Sequence, residues 1–263
     1  LPTAACLENV IFASQVLLGT GLGVMLFQKI SVFTLLAIDA ASFLGSLLML
    51  WLAGRRFSAP SLPSLEEEEA PAALRWRTLT VRQKRSLLIL PALAAVGSPA
   101  MALLPALAQQ LHPQDAAGLA LPLLFARSLG QLCGPMLLKK ESLTRFAART
   151  PRIIVCLGIF LAAYGMLPLL SGWMACALGM IFIAHLASNV LFAAGTFGVL
   201  SSFHITQTAS DSGKAWRWQT LSASLFTGIA AAVAAGFGSV AALYAVSSVA
   251  LMMVALIVRR YRE

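Results

Sequence analysis

The stretch IIVCLGIFLAAYGMLPLLSGWMACALGMIFIAHLASNVLFAAGTFGVLSSFHITQTAS, residues 153–210, contains 58 residues without a Lys, Arg, Asp or Glu. One membrane-spanning helix needs about 20 apolar residues, so this stretch is long enough for two spans that meet near Ser171-Gly172. A soluble domain has about 25% charged residues, whereas this chain of 263 residues has 11% charged and 59% hydrophobic residues. The sequence therefore predicts a membrane protein built of helices.

The rest of the chain repeats this pattern. Residues 9–28, 86–114 and 218–258 are also free of these charges, and the last stretch is long enough for two spans that meet near Gly236-Phe237-Gly238. Two more apolar segments contain one charge each, Asp39 and Arg127. The predicted spans are about 10–28, 31–53, 87–108, 118–138, 153–171, 173–197, 217–236 and 239–258. A β-barrel is excluded because its strands alternate in polarity over about ten residues, and no segment here does so.

The Lys and Arg residues indicate the direction of insertion. If the N-terminal end is cytoplasmic, the cytoplasmic segments 54–86, 139–152, 201–218 and the C-terminal tail hold 17 of the 19 basic residues. Cytoplasmic loops retain such residues, so both ends of the chain are expected in the cytoplasm and the protein in the inner (plasma) membrane. A nucleic-acid partner is excluded despite the net charge of +9, because a binder needs a basic exposed face.

One segment differs from the others in composition. Residues 57–86 contain a Pro/Ser-rich stretch, four consecutive glutamates at 66–69 and then a basic stretch. It is interpreted as a central cytoplasmic linker whose basic part lies on anionic lipid headgroups, with a regulatory or partner-binding role as the alternative. The predicted division is thus residues 1–56, the linker 57–86 and a six-helix half, 87–263.

Several motifs resemble the major facilitator superfamily. Asn9–Leu26 is similar to that family's fifth helix, whose antiporter motif Gly-Pro-x-x-Gly-Gly corresponds to GTGLGV, residues 19–24. The segment Ile38–Ser46, IDAASFLGS, resembles helix six of the branch that contains enterobactin-type siderophore exporters and drug-efflux proteins. SPAMALLP at 98–105 and SLGQLCGP at 128–135 are similar to its helices seven and eight. The similarity is weakest at 201–218.

The resemblance implies a twelve-helix transporter of which this chain would be helices five to twelve, with the first four helices expected to precede it. It implies alternating access and proton-coupled efflux of a small organic molecule such as a siderophore or drug. Two alternatives remain: a facilitator or importer of the same fold, and a membrane protein that binds ligands or scaffolds partners without transport. The expected partners are the substrate, protons, the lipid bilayer and the missing helices.

Two ionisable residues within spans are candidates for proton coupling. Charges in hydrocarbon are costly and usually functional, and Arg127 lies near the middle of its span, with Gln131 one turn later on the same face. It is interpreted as a substrate or proton contact, with a structural ion pair as the alternative. A carboxyl group removed from water keeps its proton more readily, so Asp39 can carry a proton, although a hydrogen bond to Ser42 would make it structural.

A polar face on the predicted helix 173–197 marks a candidate cavity. Polar and aromatic residues recur there at helical spacing, and the family position makes this helix line the central cavity, although a buried His can also be a structural donor. The predicted cavity residues are His185, Ser188, Asn189, Phe192, Arg127, Gln131, Ser98, Met101 and Gln15. Pro91, Pro99 and Pro105 are expected to bend the helix that carries Ser98.

Small residues predict close helix contacts. Helices in lipid associate through Gly and Ala, and the candidates are Gly19, Gly21, Gly23, Gly130 and Gly134. They are interpreted as packing surfaces, and the family resemblance adds a sliding role in gating. No catalytic motif, metal-ligand spacing or cofactor motif is recognised, so the prediction is no enzyme, no cofactor and no metal. The four cysteines are interpreted as small core residues.

Overall fold

The computed structural model describes residues 29–56, 76–113, 116–138, 149–203 and 205–261, together with Leu143 and nine positions between 11 and 26. The described part of the chain is helical, with no β-strand. Its α-helices are α1 (Val32–Arg56), α2 (Val81–Leu111), α3 (Ala116–Met136), α4 (Thr150–Met166), α5 (Met174–Ser202), α6 (Ile205–Phe237) and α7 (Ser239–Arg260).

Six of these helices are long and apolar enough to cross a membrane. They are α1, α2, α4, α5, α6 and α7, with mean hydropathies between 1.6 and 2.4 over their most apolar windows. This indicates a multi-pass membrane protein and confirms the prediction of an all-helical chain for the described residues. The predicted span 118–138 is seen as α3, and its role as a span stays a prediction. The predicted span 10–28 lies partly outside the described residues, and its described positions are helical.

The chain divides into two compact units. One comprises Gly21–Leu74, and the other comprises Leu1–Thr20 with Arg75–Glu263. In the first unit, α1 exposes most of its apolar side chains, as expected for a helix whose surface faces lipid. The Arg55 guanidinium at its end stacks 3.8 Å above the Trp51 ring. The linker residues 57–75 lie outside the described part.

In the second unit, α2 is the central helix and contacts each of α3 to α7. Its buried residues, among them Val96, Ala100 and Leu104, join Phe160 of α4 and Leu243 of α7 in one hydrophobic core. The three prolines at 91, 99 and 105 lie inside α2 as predicted. Each removes one backbone donor from the helix, yet the helix continues for 31 residues.

Two helices begin earlier than the sequence patterns predict. The start of α2 at Val81, six residues before the predicted position, is stabilised by a capping box: the Thr80 hydroxyl accepts from the Gln83 backbone N–H at 3.3 Å, and the Gln83 side chain accepts from the Thr80 N–H at 3.0 Å. Such a pair satisfies two otherwise unpaired donors. Similarly, α6 begins at Ile205 rather than near 217, so residues predicted as a polar loop are helical.

Two glycines separate consecutive helices where the sequence predicts breaks. Gly172, with φ of 83°, lies between α4 and α5, and Gly238, with φ of 86°, lies between α6 and α7. Glycine adopts this left-handed region without the steric cost that a Cβ imposes. Both predicted breaks, near 171–172 and 236–238, are therefore observed.

Basic residues collect at one end of the six-helix unit. The start of α2 meets the end of α5, where the Gln83 amide donates to the Ser202 carbonyl at 3.2 Å. A 3-10 turn before α2 places Trp76 against Trp218 of α6 and Tyr261 after α7, with ring centroids 5.3 and 6.0 Å apart. Basic residues on these chain segments include Arg77, Arg82, Lys84, Arg85, Lys214, Arg217, Arg259 and Arg260.

Candidate functional site: a cavity in the helix bundle

A cavity of about 590 Å³ lies within the larger unit. This volume is within the range of small-molecule sites. Its wall comes from α2 to α6 and from two positions near the N-terminal end, and it consists of Ile11, Gln15, Leu93, Ala94, Gly97, Ser98, Met101, Arg127, Gln131, Phe160, His185, Ser188, Asn189, Phe192, Thr196, Trp216, Gln219, Thr220, Ala223 and Ser224.

All nine residues that the sequence analysis assigned to a cavity lie on this wall. The face of α5 formed by His185, Ser188, Asn189 and Phe192 is oriented as its helical spacing indicates. Arg127 and Gln131 of α3 border the same space, as do Ser98 and Met101 of α2 and Gln15. Their contact with a substrate stays a prediction.

A close crossing of α3 and α5 holds two of the cavity walls together. A Cβ at Gly130 would collide with the Phe182 carbonyl oxygen, and one at Gly134 would lie 2.7 Å from the Leu186 carbonyl oxygen. Glycine at both positions therefore lets the two backbones touch. The GxxxG prediction is thus observed for this pair, and the helix it meets is α5.

The two described N-terminal glycines, Gly19 and Gly21, do not show such contacts. A Cβ at Gly19 or Gly21 would meet no atom within 4 Å, and Gly23 lies outside the described residues. The expectation that Gly19 packs closely is therefore not met in the described structure. Sequence reasoning also missed Gly195 and Gly198 of α5, where an added Cβ would meet Leu90 at 2.8 Å and Ser86 at 3.2 Å, respectively.

His185 is held by aromatic residues of α4. It is 1% exposed, and its Nε2 hydrogen-bonds the Tyr164 hydroxyl at 2.8 Å. Phe160 lies edge-on to the imidazole with ring centroids 5.6 Å apart, and stacks on Tyr164 at 4.7 Å. The sequence analysis did not identify Tyr164. Tyr164 could have been identified from the sequence as a tyrosine within a predicted span, because a buried Tyr hydroxyl usually has a hydrogen-bond partner.

The neighbouring polar residues of α5 form hydrogen bonds to the helix backbone at His185. The Ser188 hydroxyl donates to the His185 backbone carbonyl at 3.1 Å, and the Asn189 amide donates to that carbonyl at 3.0 Å. These bonds fix both side chains along the helix. A further hydroxyl farther along the helix, on Thr196, also borders the cavity.

Five buried polar atoms on the cavity wall have no hydrogen-bond partner in the described part of the protein. They are Arg127 Nε, Gln131 Oε1, His185 Nδ1, Thr196 Oγ1 and Gln219 Oε1. Buried polar atoms in folded proteins are almost always hydrogen-bonded, and leaving one unpaired costs about 1–3 kcal/mol. All five atoms belong to residues that line the cavity.

The wall contributed by α6 was not predicted. Trp216, Gln219 and Thr220 line the cavity, and the Trp216 ring meets Phe192 of α5 edge-on, with centroids 5.8 Å apart. The sequence analysis placed Trp216 in a loop at 201–218. It placed Gln219 and Thr220 in the predicted span 217–236 but did not assign them to the cavity. The signal that could have found them is the helical spacing of Trp216, Gln219 and Ala223.

Asp39 belongs to the smaller unit. It is exposed on α1, and Ser42 donates its hydroxyl to the Asp39 backbone carbonyl at 2.7 Å rather than to the carboxylate. The alternative interpretation, a hydrogen bond from Ser42 to the carboxyl group, is therefore not observed. The role of Asp39 and Arg127 in proton coupling stays a prediction.

The helices and the cavity define a multi-pass helical membrane protein with a ligand-sized space among its helices. Within the described ranges, no group of three or more His, Cys, Asp or Glu side chains could hold a metal ion. Comparison of the chain with protein-family models, curated proteins and solved structures found no match.

Proposed function

We propose that this protein is a secondary active transporter that works by alternating access, moving a small organic molecule through the cavity. The observation that supports this best is the group of five unpartnered polar atoms around one space in the bundle. Transporters bind their substrates near the bilayer midplane, where buried polar groups would otherwise be costly. Arg127 is near the middle of α3, and His185 is near the middle of α5.

The resemblance to the major facilitator superfamily supports proton-coupled efflux of a siderophore-like or drug-like molecule from the cytoplasm. In this proposal Arg127 and Asp39 are the candidates for coupling. The protein would lie in the inner membrane with residues 54–86 and the C-terminal tail in the cytoplasm.

A facilitator of the same fold is the second candidate. No Asp or Glu occurs among the described residues of the cavity wall, and a carboxylate is the group most often used as a proton carrier in membrane pumps and transporters. The second and last positions of the family's antiporter motif are also replaced, by Thr20 and Val24. Both observations favour movement of substrate down its own gradient.

Transport in proteoliposomes distinguishes these functions. The full-length protein is reconstituted with pyranine inside, a pH gradient is imposed, and a panel of catecholate siderophores and aromatic drugs is added. Proton flux that follows substrate addition, with accumulation against a substrate gradient, supports the exchanger. Equilibration without proton flux supports the facilitator.

The variant Arg127→Gln tests the cavity in the same assay, and Gly158→Ala is the matched control. Gly158 is on α4, and an added Cβ there meets no atom within 4 Å. Arg127→Gln should reduce the transport rate while membrane abundance stays near that of the control. Loss of abundance with normal activity per folded molecule would instead identify Arg127 as a structural residue, and the absence of any flux would favour a protein that does not transport.

A further inference from the structure

We propose that the cavity selects amphipathic organic anions, with a carboxylate, sulfonate or phenolate head and an apolar or aromatic body. This inference rests on the proposed function, since it names the substrate class of the same cavity. It begins with charge: Arg127 is the one Lys or Arg among the described residues on the wall, and those residues include no Asp or Glu. The described part of the wall therefore carries a net positive charge.

No carboxylate in the described ranges of the larger unit compensates this charge. Those ranges contain one carboxylate, Asp211. It binds Lys214 at 3.0 Å and is not on the wall. A guanidinium in a low-dielectric bundle is strongly stabilised by an anion, so a negatively charged ligand gains more from this site than a neutral or positive one.

The hydrogen-bonding groups on the wall favour the same ligand. Arg127 Nε is a donor in every state, because arginine stays protonated in proteins. The Thr196 hydroxyl is a second unpartnered group that can donate. Donors that face an anion form charge-assisted bonds, which are the stronger class.

The remaining wall determines the body of the ligand. Phe160, Phe192, Trp216 and Met101 contribute aromatic and thioether surface. Such surface binds flat apolar groups through burial and ring contacts. Gln131 and Gln219 add amide side chains to the wall. A small inorganic anion would leave this surface unfilled.

Three probes that differ only in charge test the inference. They are 4′-nitrobiphenyl-4-carboxylate, the corresponding alcohol and the corresponding methylammonium compound, and their nitro group quenches indole fluorescence. Binding to the purified full-length protein in nanodiscs is measured by quenching of Trp216. Trp216→Phe should remove the quenching, whereas Trp218→Phe should keep it, because Trp218 packs on Trp76 and is not on the wall.

The carboxylate should bind about 10- to 100-fold more tightly than the alcohol, which is the range that a charge-assisted hydrogen bond of about 1.5–3 kcal/mol supplies. The methylammonium probe should bind most weakly. Arg127→Gln should abolish the preference, and Arg127→Lys should keep part of it, because lysine preserves the charge but not the planar fork.

The variant Glu8→Gln tests whether a carboxylate of the chain itself neutralises the charge of Arg127. Glu8 is the carboxylate nearest in sequence to the wall residue Ile11, and Glu8→Gln should leave the preference unchanged. A preference for the anion that appears only in Glu8→Gln would overturn the inference, as would equal binding of the three probes or tighter binding of the cation. In those cases the cavity remains a binding site, and the proposed function stands. If Trp216→Phe does not remove the quenching by any of the three probes, the result would contradict both the inference and the proposed function.

Discussion

The close crossing of α3 and α5 allows the effect of one added methyl group to be worked out. A Cβ added at Gly134 would lie 2.7 Å from the Leu186 carbonyl oxygen, 3.1 Å from Asn189 Cβ and 3.3 Å from the Val190 nitrogen. Ordinary van der Waals contact begins at 3.4 Å. Because the contact with the Leu186 carbonyl oxygen would be 2.7 Å, α3 and α5 must separate by about 0.7 Å. The obstructing atoms belong mainly to helix backbone, which cannot rotate away as a side chain can.

The cost follows from overpacking and from weaker dispersion attraction between the separated helices. Overpacking costs about 1–3 kcal/mol, and a gap of this size removes about a quarter to a half of the attraction between each pair of facing atoms. Alanine recovers about 0.5–1 kcal/mol of helix propensity. We therefore expect Gly134→Ala to lower the free energy of unfolding by about 1–2 kcal/mol, and Gly130→Ala to lower it further because its Cβ meets the Phe182 carbonyl oxygen more closely.

Unfolding in SDS micelles, followed by far-UV circular dichroism, measures this decrease in stability. The matched control is Gly158→Ala on α4, where the new Cβ meets no atom within 4 Å and only the propensity gain of about 0.5–1 kcal/mol remains. The two substitutions should thus change stability in opposite directions. If Gly134→Ala and Gly158→Ala stabilise the protein equally, the backbone contact between α3 and α5 does not exist as described.

Two further predictions concern the hydrogen bond at His185 and the direction of insertion. Tyr164→Phe should lower the free energy of unfolding by about 1–3 kcal/mol, because it strands the buried Nε2 of His185. Tyr164→Phe combined with His185→Phe should cost less than the sum of the single changes in the same SDS assay, and strict additivity would show that the two side chains are not coupled. A single cysteine at position 66 should be labelled by impermeant maleimide in inside-out vesicles but not in intact cells, because 17 of 19 basic residues are then cytoplasmic; labelling in intact cells would refute this orientation.

The charge pattern alone was enough to predict most of the helices. Stretches without Lys, Arg, Asp or Glu correspond to α2, α4, α5, α6 and α7, since a charge in hydrocarbon is too costly to be frequent. The breaks at Gly172 and Gly238 were also predictable, because a turn between two apolar helices needs a residue that tolerates positive φ. The polar face of α5 followed from helical geometry, since spacing of three and four residues repeats along one side.

The tertiary structure decided what lies across from each of these faces. Hydropathy locates the part of a helix that is within the membrane. The helix α2 begins before that part, at the Thr80–Gln83 capping box, and α6 begins before it with polar turns that are also helical. Trp216 on the α6 wall of the cavity was therefore placed in a loop, whereas Gln219 and Thr220 were within the predicted span 217–236 and were not assigned to the cavity. Pairings such as Gly134 with Leu186, or Tyr164 with His185, join residues far apart in the chain. Local patterns show which residues share a helix face, whereas the contacts between faces depend on how whole helices pack.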